Sequence, residues 1–96
     1  MPQELNRILH QPIRTRIVAL LAVRDTCDYN SIKQELNISD GHMTTHMREL
    51  IEHGYVLADK SFVDNKPRTF YKLTPTGHNM LNQYISALKS IILGNN

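Results

Sequence analysis

The chain has 96 residues, a formal net charge of +2, 41% apolar residues and 21% charged residues. That length excludes a two-domain enzyme. The composition is too apolar for a disordered chain, and the mild positive charge permits a nucleic-acid partner without demanding one. Cys27 is the single cysteine, so no intrachain disulfide can form. The longest apolar run, Ile17 to Val23, is far below the roughly 18 residues of a membrane span. Arg7, His10, Arg14 and Arg16 stand near the N-terminus with no apolar signal core between them. A cytoplasmic protein without a membrane partner is expected.

Leu5, Ile8 and Leu9 fall at i, i+3 and i+4 and predict a short helix within residues 1–10. Pro12 interrupts it, because proline disfavours helix in the residue before it yet suits a first helical position. Ile13, Ile17, Leu20 and Leu21 carry the next helix to about Arg24. After the polar break Asp25 to Asp28, Asn30 or Ser31 can cap a helix that reaches Leu36 with Ile32 and Leu36 inward. Asn37 suits the left-handed conformation that ends such a helix. Ser39 is the next cap, and Asp40 favours the positive end of the dipole. The helix from Asp40 to about His53 places Met43, Met47 and Leu50 on one stripe, flanked by Ile51, and Gly54 ends it.

The period then changes. Tyr55 to Val63 and Arg68 to Leu73 are rich in β-branched and aromatic residues, and Asp64-Asn65-Lys66-Pro67 between them has turn chemistry. The pair reads as a β-hairpin. Thr74-Pro75 opens a last helix carrying Leu81, Tyr84, Ile85, Leu88, Ile91 and Ile92 at helical spacing. The fold class expected is mainly α with a small hairpin, a single domain over residues 1–96.

Two helices joined by a short turn and followed by a hairpin make the order of a winged helix-turn-helix. The chain resembles the small winged-helix transcriptional regulators of bacteria and archaea related to the MarR and ArsR groups. The residues that carry the resemblance are His10 to Ile17, Ser39 to Leu50, Gly54-Tyr55-Val56 and Pro67 to Gly77. The resemblance implies a recognition helix, a wing and double-stranded DNA as partner. It also raises metal sensing, but the thiolate pair of the ArsR group is absent, since Cys27 stands alone.

A recognition helix turns its core stripe inward and short polar or basic groups toward the major groove. With Met43, Met47 and Leu50 inward, Gly41, His42, Thr45, Arg48, Glu49 and Glu52 lie on the outward arc, with Thr44 and His46 on its flanks. Arg48 can donate two hydrogen bonds to guanine, and the threonines can meet phosphate or a thymine methyl. Lys60, Lys66 and Arg68 at or near the hairpin tip would lie along the backbone or enter a minor groove. Residues 1–24 are net +3 from Arg7, Arg14, Arg16 and Arg24 against Glu4. Residues 25–40 are net −3 from Lys33 against Asp25, Asp28, Glu35 and Asp40. The expected affinity per protomer is therefore moderate, with Arg14 or Arg16 adding phosphate contacts.

The last stripe is longer than one small domain needs to cover, so it predicts association. Packed with its symmetry mate, and with Leu5, Ile8 and Leu9, the stripe Leu81, Tyr84, Ile85, Leu88, Ile91 and Ile92 would form a two-fold interface. His42 and His46 at i, i+4, with Glu49 following, offer imidazoles on the helix face assigned to DNA, and no metal or other cofactor is expected. Asp25 and Asp28 flank Cys27 with negative charge, which argues against a reactive thiol there. No phosphate loop, nucleophile elbow or paired carboxylate set is present, so no enzyme activity and no effector ligand are expected. The alternatives are a winged helix used for protein contact in a larger transcription assembly, or a metal- or thiol-responsive repressor.

Overall fold

The computed structural model describes residues 4–94. The elements are α1 (Pro12–Val23), β1 (Cys27–Asp28), α2 (Tyr29–Leu36), α3 (Asp40–Glu52), β2 (Val56–Val63), β3 (Lys66–Leu73) and α4 (Pro75–Leu93). The three strands form one antiparallel sheet in the order β1-β3-β2. Helices and sheet enclose one core, in which Leu9, Ile17, Leu21, Ile32, Met43 and Leu50 are fully buried.

Local chemistry sets each helix start. The side chain of Gln11 accepts from Arg14 N and Pro12 follows it at the first turn. Ser39 accepts from His42 N, and Thr74 accepts from Gly77 N ahead of Pro75. Each cap satisfies one backbone donor that the helix leaves unpaired. Asn37 takes the left-handed conformation at the end of α2, with φ 53°, and Gly54 follows α3 with φ 76°. All but the Gln11 cap, which spacing did not indicate, agree with the expectations from sequence.

Four expectations are corrected. The N-terminal segment is not a helix over its described residues but a single turn. Asn6 accepts from Ile8 N and Leu9 N through its side chain and from His10 N through its carbonyl. A side chain that meets the backbone donors locally competes with helix extension, and Pro12 blocks continuation. Residues 1–3 of the predicted helix lie outside the described residues. The cap of α2 is Asp28 rather than Asn30 or Ser31, because the chain leaves β1 there in extended geometry and Asp28 accepts from Ser31 N at 3.1 Å. β1 itself has only two residues, too few to show a period, and exists through pairing of Cys27 with Tyr71 and Asp28 with Phe70. The hairpin loop is two residues, Asp64-Asn65, with φ 54° and 64°, and Val63 pairs with Lys66. Two successive left-handed residues make the tight turn whose twist matches the strands, so Lys66 and Pro67 belong to β3.

The stripe of α4 divides. Leu81, Tyr84 and Ala87 are buried in the protomer's own core, and Leu88 packs against it. Ile85, Ile91, Ile92 and Leu93 are exposed. Leu9, grouped with the interface residues from sequence, is also fully buried in that core. Helix α4 is 19 residues long, about 28 Å at 1.5 Å per residue, and its last turn extends past the body that buries its first half. No helix among the described residues is long and apolar enough to cross a membrane.

Candidate nucleic-acid interface

Helix α3 is fixed from below and at its start. Met43, Met47 and Leu50 are buried beneath it. At its first turn Tyr29 Oη donates to Asp40 Oδ1 at 2.8 Å and Lys33 Nζ donates to the same oxygen at 3.0 Å. These bonds tie α2 to α3 and hold the Asp40 carboxyl below its ordinary pKa. Burial, then the bond to Asp40, pushes the Tyr29 hydroxyl up. With that face locked, Gly41, His42, Thr44, Thr45 and Arg48 are exposed together on the other side. The helix thus presents a polar surface on which Arg48 is the one guanidinium and Glu52 is also exposed, its orientation set by packing.

His46 and Arg14 have a different environment from the rest of this set. Both are half-buried, and His46 Nδ1 lies 3.1 Å from Arg14 Nη1. Arg14 Nε donates to the Ile8 carbonyl at 2.6 Å. A guanidinium only donates, so His46 Nδ1 accepts and the neutral ring carries its proton on Nε2. Burial, then the charge of Arg14, pushes the His46 pKa down. Arg14 therefore braces the N-terminal turn against α3 through Nε and Nη1. Arg16, exposed, donates to the Leu36 carbonyl and bridges α1 to the end of α2.

The acidic stretch between residues 25 and 40 is largely paired. Arg24 meets Glu35, Lys33 meets Asp40, and Arg68 Nε stands 3.7 Å from Asp28 Oδ2. Paired carboxylates repel phosphate less than the segment charge of −3 suggests. Arg68, in turn, is oriented by a residue of β1. Hydrogen bonding to the Ser31 side chain, then to its backbone N–H, with a smaller contribution from Arg68, lowers the Asp28 pKa against the effect of burial.

Lys60, Lys66 and Arg68 are all exposed, but the register separates them. Lys60 pairs with Thr69, Ser61 with Arg68, and Val63 with Lys66. Side chains alternate across a strand, so Lys60 projects from one face of the wing and Lys66 and Arg68 from the other. Sequence spacing groups the three cations, whereas the pleat places them on both faces. The Tyr29–Asp40–Lys33 network and the Arg14–His46 brace were not legible in sequence, because their partners lie 7 to 32 residues apart on different elements. Among the described residues no three His, Cys, Asp or Glu side chains converge as a metal-ligand set. The rings of His42 and His46 are 6.3 Å apart, with the Nδ1 of His46 taken by Arg14.

The fold recurs among known proteins. An uncharacterized protein of Methanocaldococcus jannaschii is 33% identical over 79 residues, 82% of this chain and 86% of the relative. The structure of a transcriptional regulator homologue from Pyrococcus horikoshii superposes with a TM-score of 0.87 at 30% identity, covering 93% of this chain and 88% of that one. Bacillus subtilis PadR, solved in complex with operator DNA, shares the fold with a TM-score of 0.69 at 13% identity, covering 78% of this chain and 48% of that one. The family model described as winged helix DNA-binding domain matches residues 13–92, the span from the first turn of α1 to the end of α4, and the chain belongs to that family.

Proposed function

We propose that this protein is a transcription regulator that binds double-stranded DNA sequence-specifically as a homodimer. The observation that carries the reading is the exposed face of α3. Thr44, Thr45 and Arg48 stand outward on a helix whose opposite stripe is locked in the core, the arrangement a major groove accepts. The wing, with Lys66 and Arg68 on one face and Lys60 on the other, is the second contact, on the backbone or in the minor groove. Bacillus subtilis PadR, which shares the fold, is solved in complex with operator DNA, and this supports DNA as the partner.

The homodimer reading rests on the half of the α4 stripe that the core does not use. Ile91, Ile92 and Leu93 are 54%, 71% and 67% exposed, and Ile85 continues the surface. Leu5, Ile8 and Leu88 border it with partial burial, beside an open groove of about 710 Å³ between residues 4–7 and α4. A two-fold pairing of these surfaces would set two α3 helices about 10 bp apart. A winged helix that recognises protein would present an apolar α3 face, and here the outward arc is polar.

Selection of bound sequences from a random duplex pool at stated salt tests both parts. Enrichment of an inverted repeat with half-sites about one helical turn apart is expected. Recovery of no enriched sequence would refute sequence-specific binding.

A further inference from the structure

The wing carries a feature that charge alone does not explain. Phe62 is 76% exposed, and its cross-strand partner is Pro67, also exposed. The pair lies one step from the Asp64-Asn65 turn. In a two-residue turn of this kind Val63 and Lys66 exchange the closing hydrogen bonds, so Phe62 and Pro67 form the next, non-hydrogen-bonded pair. Such pairs bring their side chains closest, with Cα atoms about 4.5 Å apart. The missing N–H of Pro67 would point away from β2, where no ladder bond is needed. The result is a rigid apolar ridge at the end of the hairpin.

The ridge shares a face with Val56, Ala58, Tyr71 and Leu73. Near the body that face is buried through Val56, Tyr71 and Leu73. Toward the tip it has nothing beneath it and carries Lys60, Phe62 and Pro67 into solvent. Eight residues of strand place the tip about 23 Å from the core end of β2. Half a turn of duplex, the step from a major groove to the adjacent minor groove, is about 17 Å. The arm is long enough to reach it. Lys60 shares the face of the ridge and Lys66 and Arg68 project from the opposite face, so cations on both faces of the hairpin end, against the single carboxylate of Asp64 in the turn, can meet flanking phosphates.

We propose that the Phe62–Pro67 pair is an apolar wedge that enters the minor groove and partly unstacks a base step, bending the duplex. The inference rests on the DNA-binding reading above and adds a shape-reading residue to it. Apolar wedges of Phe or Pro inserted at flexible pyrimidine–purine steps act in this way. Preference at the wing position would then follow the ease of unstacking rather than hydrogen bonding to base edges.

The test uses the full chain and a duplex recovered by the wild type from a random pool, labelled at both ends for energy transfer. Phe62→Ala is expected to weaken binding about tenfold or more, from the loss of a buried Phe side chain, and to reduce the bend. Its salt slope should match the wild type. Phe62→Leu should retain most of the affinity and bend. Lys66→Ala should instead reduce the salt slope by about one while the bend persists. Wild-type binding with an unchanged Phe62→Ala bend and affinity would overturn the wedge and leave the DNA-binding reading standing. A change in solution mass for Phe62→Ala, without a change in bend, would assign Phe62 to protein contact and overturn it equally. No duplex bound by the wild type would overturn the reading beneath it.

Discussion

Gly77 sits in the first turn of α4, where alanine is intrinsically the better helix former by about 1 kcal/mol. The tertiary structure reverses that preference. A Cβ on Gly77 would lie 2.3 Å from the Tyr55 carbonyl oxygen, 2.7 Å from Leu73 Cδ1 and 3.0 Å from Leu73 Cγ. A carbon and a carbonyl oxygen normally approach no closer than about 3.3 Å, so α4 would have to retreat by about 1 Å. Leu73 can rotate in part. The Tyr55 carbonyl cannot move freely, because it accepts from Thr74 N at 3.0 Å and Thr74 Oγ1 at 3.2 Å. Retreat would strain those bonds and the Thr74 cap, at roughly 1 kcal/mol each. Set against the propensity gain, Gly77→Ala should lose about 2–3 kcal/mol, a fall in Tm of roughly 10–20 °C for a domain of this size. Gly41→Ala is the matched comparison, since its Cβ would meet only Ser39 Oγ at 4.0 Å, and it should be neutral or stabilising. Thermal and urea unfolding followed by circular dichroism measure both. Equal stability of the two variants would refute the reasoning.

Four further outcomes are expected. Arg48→Ala should relax base preference and cost about 1–3 kcal/mol in binding to a selected duplex if its guanidinium pairs with a base, measured by fluorescence anisotropy. His46 has a folded pKa below its ordinary 6.5, so its stabilising contribution is present above that value and is lost as pH falls through the lower folded value. Urea midpoints at about pH 7.5 and about pH 5 should therefore fall more in the wild type than in His46→Gln, which can still accept from Arg14 without titrating. Asp28→Ala should lose about 1 kcal/mol as the cap of α2 disappears, while Asp28→Asn should retain most of it, by urea unfolding. Joint replacement of Ile91 and Ile92 by serine should give a monomer mass by light scattering with unchanged helix content, since both side chains are exposed in the protomer.

Much of the fold was legible because its signals are local. Pro12, Ser39 and Thr74-Pro75 mark helix starts through backbone donors a few residues away. Met43, Met47 and Leu50 declare their face through the helical period alone, which is why the outward arc of α3 could be named from spacing. The hairpin was visible as two β-rich runs, but its loop was read too long. Lys66-Pro67 has turn composition, and only the strand register shows that the left-handed pair Asp64-Asn65 completes the turn by itself.

The sequence by itself determined the order of helices and hairpin, the polar outward arc of α3 and the positions of most caps, since each depends on neighbours within one or two turns. Only the tertiary structure decided how shared surfaces are used. It gave Arg14 a role as a brace on His46, because the packing of α1 and the N-terminal turn brings Ile8 and α3 to the same guanidinium. It divided the last apolar stripe, burying Leu81 and Tyr84 against the protomer and leaving Ile91 and Ile92 in solvent. A period states which residues share a face of a helix. What covers that face depends on where distant segments of the chain come to lie.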